Sequence, residues 1–333
     1  MCTAVTLQSR QQEVVLGRTM DFSYDIEPRI YVTPRNYVWN SAYNSQRFHD
    51  YYGIVGVGQQ MDQIMGYFDG VNEKGFAAAA LYFAGYAEYE QTPPRGEKVP
   101  IAAFDFLHYI LGKCASVAEL EKLLPQISLM GVPDPVTHTP APLHWIALDR
   151  SGACVVIERT AQGIRLYENS IGVLANSPDF PWHITNLRNY AGVTPEQPTG
   201  AVWGGLPLRP FGQAAGSSLL PGGYTSPARF ARVAYLKTHV VTPQNSESAV
   251  LTGFHILESV SIPKGAVVTD RGTYDDTKYV SFVDLQQCDC YFKSYGTGQI
   301  AKVSLWEYPA QGEQQLCLNP FVQPARFGKP EPC

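Results

Sequence analysis

Long apolar runs are missing from this sequence, and so are blocks of basic residues. No stretch approaches the ~18 consecutive apolar residues that a membrane-spanning helix requires, so we expect no membrane partner. The first residues lack a basic region followed by an apolar one, so we expect no signal peptide and a cytoplasmic location. The net charge is −5 without a basic cluster, which gives no electrostatic support for nucleic-acid binding.

Cysteines are few and scattered along the chain. The sequence has seven cysteines in 333 residues, an odd number without the spacing of a disulfide framework. Cys288 and Cys290 stand two residues apart, and only Asp289 is near them as a further metal ligand. We interpret this pair as structural and expect neither a metal site nor a cofactor.

The composition is typical of a compact protein with a large core. Apolar residues make up 45% of the chain and charged residues 17%. The segments alternate as strands, helices, strands, helices and strands, without a repeat or a linker. We therefore predict a single domain over residues 1–333, of the α+β class with packed sheets.

Cys2 is the first candidate for chemistry because it follows the initiator methionine. Removal of Met1 would give Cys2 a free α-amine beside its thiol. Reference pKa values are ~8.5 for a thiol and ~7.7–8.0 for an α-amine, so the amine can accept the thiol proton near neutral pH. Nucleophile and general base would then belong to one residue. A cysteine at this position by chance is the alternative.

A predicted hairpin brings two charged residues beside Cys2. Residues 2–9 and 13–19 each favour a strand, and a polar turn separates them. The hairpin returns Arg18 and Asp21 to the start of the chain. Arg18 would favour the thiolate of Cys2, and the Asp21 carboxylate would orient the α-ammonium. A surface ion pair of little energetic value is the alternative for both residues.

Two motifs at the start of the chain resemble a known family. Met-Cys-Thr at residues 1–3 and Arg-Thr-Met-Asp-Phe at residues 18–22 are similar to the choloylglycine hydrolases, a family of N-terminal nucleophile hydrolases. This family contains bile salt hydrolases and penicillin V acylases. The sequence Asp-Gly-Val-Asn-Glu-Lys-Gly at 69–75 also matches a family motif that precedes a strand ending at the active site. The resemblance implies an αββα four-layer sandwich.

The same resemblance implies further site residues. The backbone N–H of Tyr82 would help to form the oxyanion hole, and this position is typically Asn in bile salt hydrolases and Tyr in penicillin V acylases. Asn176, at a predicted strand end, matches the oxyanion asparagine. Arg229 matches an arginine that the family uses near the nucleophile. Without the family context, a core tyrosine and a turn asparagine are the alternatives.

Three other segments carry predictions about structure. We predict a helix over Pro100–Leu111, a second helix opened by a Ser116–Glu119 capping box, and a third with Ser226 as N-cap and Pro227 at its first position. Residues 192–225 hold eight glycines and no clear helix, and the resemblance implies an extended assembly hairpin and a homotetramer there. Residues 309–333 are predicted to form an extended tail.

These residues together predict hydrolysis of a small N-acyl amide by Cys2. Because Tyr82 is typical of penicillin V acylases, the side-chain amide of penicillin V is the first substrate hypothesis. Met20, Phe22, Phe68 and Tyr82 would then form an aromatic-accepting pocket. Conjugated bile salts are the alternative substrate, followed by N-acyl homoserine lactones. The alternative from another class is an oligomeric binding or scaffold protein, which a retained Met1 would favour.

Overall fold

The structure is a computed structural model that describes residues 1–24, 26–61, 64–92 and 96–320. Twenty strands are found in this part of the chain: β1 (Cys2–Gln8), β2 (Val14–Phe22), β3 (Arg29–Thr33), β4 (Val38–Asn40), β5 (Arg47–His49), β6 (Ile54–Met61), β7 (Ile64–Asn72), β8 (Ala77–Tyr82), β9 (Val99–Ala102), β10 (Ile127–Met130), β11 (Leu143–Leu148), β12 (Cys154–Thr160), β13 (Gly163–Glu168), β14 (Val173–Leu174), β15 (Ala201–Trp203), β16 (Leu206–Leu208), β17 (Asp276–Asp284), β18 (Asp289–Ser294), β19 (Ala301–Ser304) and β20 (Leu316–Leu318). The α-helices of the same residues are α1 (Phe106–Lys113), α2 (Val117–Leu123), α3 (Phe180–Asn186), α4 (Ser226–His239) and α5 (Ser246–Glu258).

Two antiparallel sheets form the centre of the molecule. One has six strands in the order β14-β1-β2-β17-β18-β19, and the other has eight in the order β13-β12-β11-β8-β7-β6-β3-β20. Helices α4 and α5 pack on the six-stranded sheet, and α1 packs on β7 and β8 of the eight-stranded sheet. This arrangement confirms the predicted αββα sandwich, an α+β fold.

Small residues allow β8 to be buried on both faces. Ala77 and Ala79 belong to the core between the two sheets, whereas Ala78 and Ala80 belong to the core beneath α1. Successive strand residues point to opposite faces of a sheet, so one run of alanines serves both cores. The strand ends at Tyr82, close to β1 of the six-stranded sheet.

The predicted β1–β2 hairpin is confirmed, and its register brings Arg18 and Asp21 to the start of the chain. Cys2 pairs with Met20, and Ala4 pairs with Arg18. Because β2 pairs on its other side with β17, the hairpin lies inside the six-stranded sheet. Cys2 and Arg18 are consequently buried, at 4% and 0% exposure.

Three residues are packed closely between α5, β2 and β17. A Cβ atom at Gly17 would lie 2.1 Å from the ring of Phe282, and one at Gly253 would lie 2.3 Å from the same ring. Both distances are far below van der Waals contact, so the absence of a side chain at these glycines makes room for the aromatic ring.

Two predicted helix starts are wrong. Residues 99–102 form β9, which pairs in parallel with β10, so helix α1 begins only at Phe106. Helix α4 has Thr225 as its N-cap, because the Ser226 hydroxyl instead accepts the backbone N–H of Asn176 at 2.9 Å. The start of α2 agrees in part, since Ser116 Oγ accepts the Glu119 N–H at 3.3 Å.

The C-terminal prediction also needs correction. Leu316–Leu318 forms strand β20 at the edge of the eight-stranded sheet, against β3, and is not a loose tail. Residues 321–333, which include Cys333, lie outside the described residues. Cys288 is in a turn with φ of 55°, and Cys290 lies in β18.

The predicted hairpin within residues 192–225 is present as β15 and β16. Its side chains Val202, Trp203 and Leu206 are 68%, 74% and 62% exposed, so the described part of the chain leaves most of their apolar surface uncovered. A role in homotetramer assembly remains a prediction. Among the described residues, no helix has the length and apolar character that crossing a bilayer demands.

Candidate active site

A thiol and a guanidinium meet inside the six-stranded sheet. Arg18 Nη2 lies 2.8 Å from Cys2 Sγ, within hydrogen-bonding distance. Both residues come from the β1–β2 hairpin, so the sequence prediction of this contact is confirmed in its geometry. A buried cation beside a cysteine favours the thiolate form, which is the nucleophile.

Arg18 is held by a ring of acceptors around its guanidinium. Its Nε donates to Thr19 O at 2.9 Å, and its Nη1 lies 3.7 Å from the carboxylate of Asp69. Tyr279 donates to that same carboxylate at 3.0 Å. Burial alone would lower the pKa of Arg18, but its electrostatic interactions with Cys2, Tyr279 and Asp69 raise it above its ordinary value. The guanidinium is thus a fixed positive charge behind the sulfur.

Arg229 holds the backbone of Cys2 from the opposite side. Its Nη1 donates to Cys2 O at 2.5 Å and also to Thr3 Oγ1, and its Nη2 donates to Asn176 Oδ1 at 2.7 Å. Burial lowers the pKa of Arg229, and the charge of Asp21 opposes this effect. Arg229 is fully buried, and these contacts bind the first residues of the chain to helix α4.

Asp21 lies at the site but has other contacts than expected. Its carboxylate accepts from Thr19 Oγ1 at 3.0 Å and from Thr277 Oγ1 at 2.6 Å, and it lies 3.9 Å from Arg229 Nη1. In the described chain, no hydrogen bond joins this carboxylate to Cys2. The backbone carbonyl of Asp21 is what accepts from the Met1 amino group.

The side chain of Asn176 connects Cys2 with β8. Its Oδ1 accepts from the Cys2 backbone N–H at 2.7 Å, and its Nδ2 donates to Tyr82 O at 2.7 Å. In a strand, the N–H and the C=O of one residue point toward the same neighbour. The N–H of Tyr82 therefore points toward Asn176 as well.

In the described sheet, neither strand beside β8 accepts a hydrogen bond from the Tyr82 N–H. Phe83 N donates to Pro142 O at 2.7 Å, which makes this a hydrogen-bonded pair and makes the adjacent Tyr82–Leu143 pair a non-hydrogen-bonded one. On the other side, the β7–β8 pairing ends at Ala79. Tyr82 can thus direct a backbone donor into the site.

An apolar cavity of about 130 Å³ adjoins the sulfur. Its lining includes Cys2, Arg18 and the four pocket residues predicted from the sequence, Met20, Phe22, Phe68 and Tyr82. The rings of Phe22 and Tyr82 lie 6.4 Å apart. The loop 134–143 covers another side of the cavity through Pro135, Val136 and Leu143. The arrangement suits an apolar acyl group placed against the sulfur of Cys2.

The family is decided by a match over nearly the whole chain. Residues 2–314 match the sequence model of linear amide C–N hydrolases of the choloylglycine hydrolase family. The chain belongs to this choloylglycine hydrolase family. It is therefore an enzyme of the class that hydrolyses linear amide C–N bonds.

Individual choloylglycine hydrolases and their relatives show the same likeness. The bile salt hydrolase/transferase of Lactiplantibacillus plantarum is 33% identical over 307 residues, 92% of each chain. The crystal structure of the C2A mutant of the conjugated bile acid hydrolase from Clostridium perfringens superposes with a TM-score of 0.91 at 29% identity, covering 99% of both chains. A penicillin V acylase of Pectobacterium atrosepticum is only 25% identical, over 87% of this chain and 77% of its own.

Two buried histidines of this choloylglycine hydrolase form hydrogen bonds with the backbone at Asn176 and at the residue before it. His183 Nε2 donates to Asn176 O at 2.8 Å, and His144 Nε2 donates to Ala175 O at 2.8 Å. Burial lowers the pKa of His183 to about 4, so its ring is neutral near pH 7. The sequence analysis missed the contribution of His183.

A second cavity of about 400 Å³, whose lining includes Asp270, Arg271 and Asp275, meets the first one at Phe22 and Tyr82. Asn176 and Met1 also line it, together with residues of the loop before β17. Sequence reasoning did not identify this loop, because its residues have no periodic pattern. No three His, Cys, Asp or Glu side chains in the described part of the chain are arranged to hold a metal ion.

Proposed function

We propose that this enzyme hydrolyses the amide bond of conjugated bile salts with Cys2 as the nucleophile. The observation that supports the nucleophile is the 2.8 Å contact between Cys2 Sγ and Arg18 Nη2 at an apolar cavity. The bile salt hydrolases among its relatives, at 31–33% identity, support the substrate better than they support penicillin V, which is the first hypothesis from the sequence. The penicillin V hypothesis is unconfirmed, because the penicillin V acylase of Pectobacterium atrosepticum is a more distant relative, at 25% identity.

The first step requires a free amine at Cys2, hence removal of Met1. The amine accepts the thiol proton, and the sulfur attacks the carbonyl carbon of the amide. A C–S bond forms, and the electron pair of the C=O bond moves to the oxygen. Asn176 Oδ1, which accepts from the Cys2 nitrogen at 2.7 Å, orients the amine during this transfer.

The oxyanion then needs donors that are already in place. We assign this role to the Tyr82 N–H and to the N–H of Asn176 Nδ2 that does not bond to Tyr82 O. Donors fixed in a site that excludes water stabilise developing charge without reorganisation. A charge-assisted contact from Arg229 Nη2 and the hydrogen bond from the Cys2 nitrogen hold Asn176 in its orientation.

Collapse of the intermediate completes the reaction. The C–N bond breaks, and the α-ammonium of Cys2 returns its proton to the leaving nitrogen. Water, deprotonated by the same amine, then hydrolyses the thioester and releases the free acid. The positive charge of Arg18 stabilises negative charge on the sulfur of Cys2. Asp21 is a positioning residue, because its carboxylate lies 3.9 Å from Arg229 and not at the amine.

A second candidate substrate is penicillin V, on the basis of the apolar cavity. Its volume of about 130 Å³ is below the ~300–1,000 Å³ of many small-molecule pockets, and it suits a phenoxyacetyl group better than a steroid. The half-buried ring of Tyr82 adds an aromatic contact. N-acyl homoserine lactones have no specific observation in their favour.

Parallel assays decide between these substrates. Glycocholate, taurocholate and penicillin V are supplied to protein that intact mass shows to lack Met1, with Cys2→Ala as the matched control. We expect the highest kcat/KM with a bile salt and no turnover by the variant. A higher kcat/KM with penicillin V overturns the choice of substrate, and equal turnover by Cys2→Ala overturns the mechanism.

A further inference from the structure

The two donors assigned to the oxyanion come from different sheets. Tyr82 ends β8 of the eight-stranded sheet, and Asn176 follows β14 of the six-stranded sheet, 94 residues further along the chain. One hydrogen bond joins them directly, from Asn176 Nδ2 to Tyr82 O. Because an oxyanion hole stabilises charge only while its donors keep a fixed geometry, any second link between these two segments bears on catalysis.

The imidazole of His144, in β11, contacts the sequence neighbours of both donors. It stacks on the ring of Phe83, the residue after Tyr82, with 4.3 Å between the ring centres and 6° between the ring planes. Its Nε2 donates to the carbonyl oxygen of Ala175, the residue before Asn176, at 2.8 Å. His144, Phe83 and Ala175 are all fully buried, so water does not compete for these contacts.

Glu158 fixes the rotation of this imidazole from its other edge. The Oε1 atom of Glu158 lies 3.4 Å from His144 Nδ1 and accepts the backbone N–H of Phe180 at 2.9 Å. The other carboxylate oxygen, Oε2, is buried and has no hydrogen-bond partner in the described part of the chain. An unsatisfied buried oxygen costs free energy, and buried ion pairs are often no more stabilising than apolar replacements. Stability alone therefore does not account for this pair.

We propose that His144 and Glu158 are positioning residues of the oxyanion hole, with the imidazole setting the distance between the segment of Tyr82 and the segment of Asn176. This inference rests on the proposed function and deepens it. Neither His144 nor Glu158 lines the acyl cavity or the cavity beside it. The pair consequently acts on the formation of the oxyanion, and not on substrate binding or on the reactivity of the sulfur.

The test separates the oxyanion hole from the nucleophile. His144→Phe keeps a ring that stacks on Phe83 but removes the donor to Ala175 O. For the better substrate of glycocholate and penicillin V, we expect kcat to fall roughly tenfold to hundredfold and KM to change less than about twofold, because a misplacement of about 1 Å costs ~10² in rate. Alkylation of Cys2 by iodoacetamide forms no oxyanion and should stay within about twofold of the wild-type rate.

A conservative variant tests for rescue. His144→Gln has a side-chain amide that can donate to Ala175 O, so it should recover part of the kcat that His144→Phe loses. It also repeats the comparison if His144→Phe does not fold, with kcat below the wild-type value and alkylation unchanged.

His108→Phe is the matched control. His108 is also buried, its Nε2 lies 2.9 Å from Asp50 Oδ2, and its ring stacks on Trp39. Urea unfolding should show a loss of stability in both Phe variants, whereas only His144→Phe should lose kcat. If kcat and alkylation fall together in His144→Phe, if its kcat does not fall, or if both variants lose kcat equally, the inference is wrong while the proposed function stands.

A spectroscopic readout tests the inference without turnover. If the wild-type protein cleaves neither glycocholate nor penicillin V, the proposed function is wrong. The backbone N–H signal of Tyr82 and the side-chain amide signal of Asn176 are then followed in a nitrogen–proton correlation spectrum. Both signals should move in His144→Phe and stay in place in His108→Phe. Unmoved signals in His144→Phe, or equal movement in both variants, overturn the inference.

Discussion

The backbone nitrogen of Cys2 donates to the side-chain oxygen of Asn176 at 2.7 Å, across 174 residues of sequence. Arg229 Nη2 donates to the same oxygen, and the amide nitrogen of Asn176 faces Tyr82 O. Because its oxygen faces two donors and its nitrogen faces an acceptor, the side-chain amide of Asn176 can form all three hydrogen bonds in one orientation only. The residue that we assign to the oxyanion is thus also the residue that orients the nucleophile.

Replacing Asn176 by Ala removes both of these functions. We expect kcat to fall by ~10²–10³, the usual cost of losing one oxyanion donor, while the Tyr82 N–H retains part of the stabilisation. Steady-state kinetics with the best substrate measures this, and Asn189→Ala is a surface control. A fall in kcat of less than about threefold would mean that Asn176 does not contact the oxyanion.

The substitution Tyr82→Asn tests the role of this side chain separately from that of the backbone N–H. The N–H remains in place, so turnover should persist, whereas the aromatic contact with Phe22 is lost and the acyl cavity enlarges. We expect the ratio of kcat/KM for glycocholate to that for penicillin V to rise by about tenfold, the effect of roughly 1.4 kcal/mol of lost packing. Tyr86→Asn, outside both cavities, should leave the ratio unchanged. A ratio that stays constant or falls in Tyr82→Asn contradicts the placement of the acyl group.

The neutral state of His183 predicts a dependence of stability on pH. Burial lowers its pKa to about 4 in the folded state, compared with about 6.5 when unfolded. Between these values the unfolded chain binds more protons than the folded chain, so the free energy of unfolding rises with pH. The contribution of His183 to this free energy is lost as the pH falls from about 6.5 to about 4. The loss is about 3 kcal/mol, at about 1.4 kcal/mol for each pKa unit.

Urea unfolding of the wild type and of His183→Gln at pH 4 and pH 7 measures this contribution. Gln keeps an amide donor for Asn176 O but does not titrate. The variant should have a smaller difference between the two pH values than the wild type. An equal difference in both proteins would mean that His183 is not the group responsible.

Close packing around Phe282 predicts a loss of stability for Gly253→Ala. The added methyl group would meet the ring at 2.3 Å, and such overpacking typically costs about 1–3 kcal/mol. Gly192→Ala is the control, because nothing lies within 4 Å of its added Cβ. Denaturation midpoints of the two variants should differ clearly. Equal midpoints would show that α5 moves away from β17 without cost.

The contact between Cys2 and Arg18 was predictable because it is local. Alternating strands joined by a short polar turn fix the register of the hairpin, and the register places residue 18 beside residue 2. The motifs at residues 1–3 and 18–22 then identified the family and the αββα sandwich. Asn176 and Tyr82 came from that resemblance, since no pattern in the sequence relates residues so far apart.

Other features could not be predicted because tertiary contacts override local signals. The helical period that ends at Leu111 predicts a helix from Pro100, but parallel pairing with Ile127–Met130 makes Val99–Ala102 a strand. Ser226 is a good N-cap by type, yet its hydroxyl accepts from Asn176 and Thr225 caps the helix. Arg271 lies in a loop, and only the folded chain brings it to the cavity beside the active site.

The central claim is that the sulfur of Cys2 attacks the amide with its own α-amine as the base. The most direct measurement is the rate of amide hydrolysis by two preparations of the protein, one retaining Met1 and one lacking it, each verified by intact mass. The better substrate of glycocholate and penicillin V is used. We predict that the protein without Met1 hydrolyses the substrate and that the protein with Met1 is no faster than Cys2→Ala. Equal rates with and without Met1 would contradict the account.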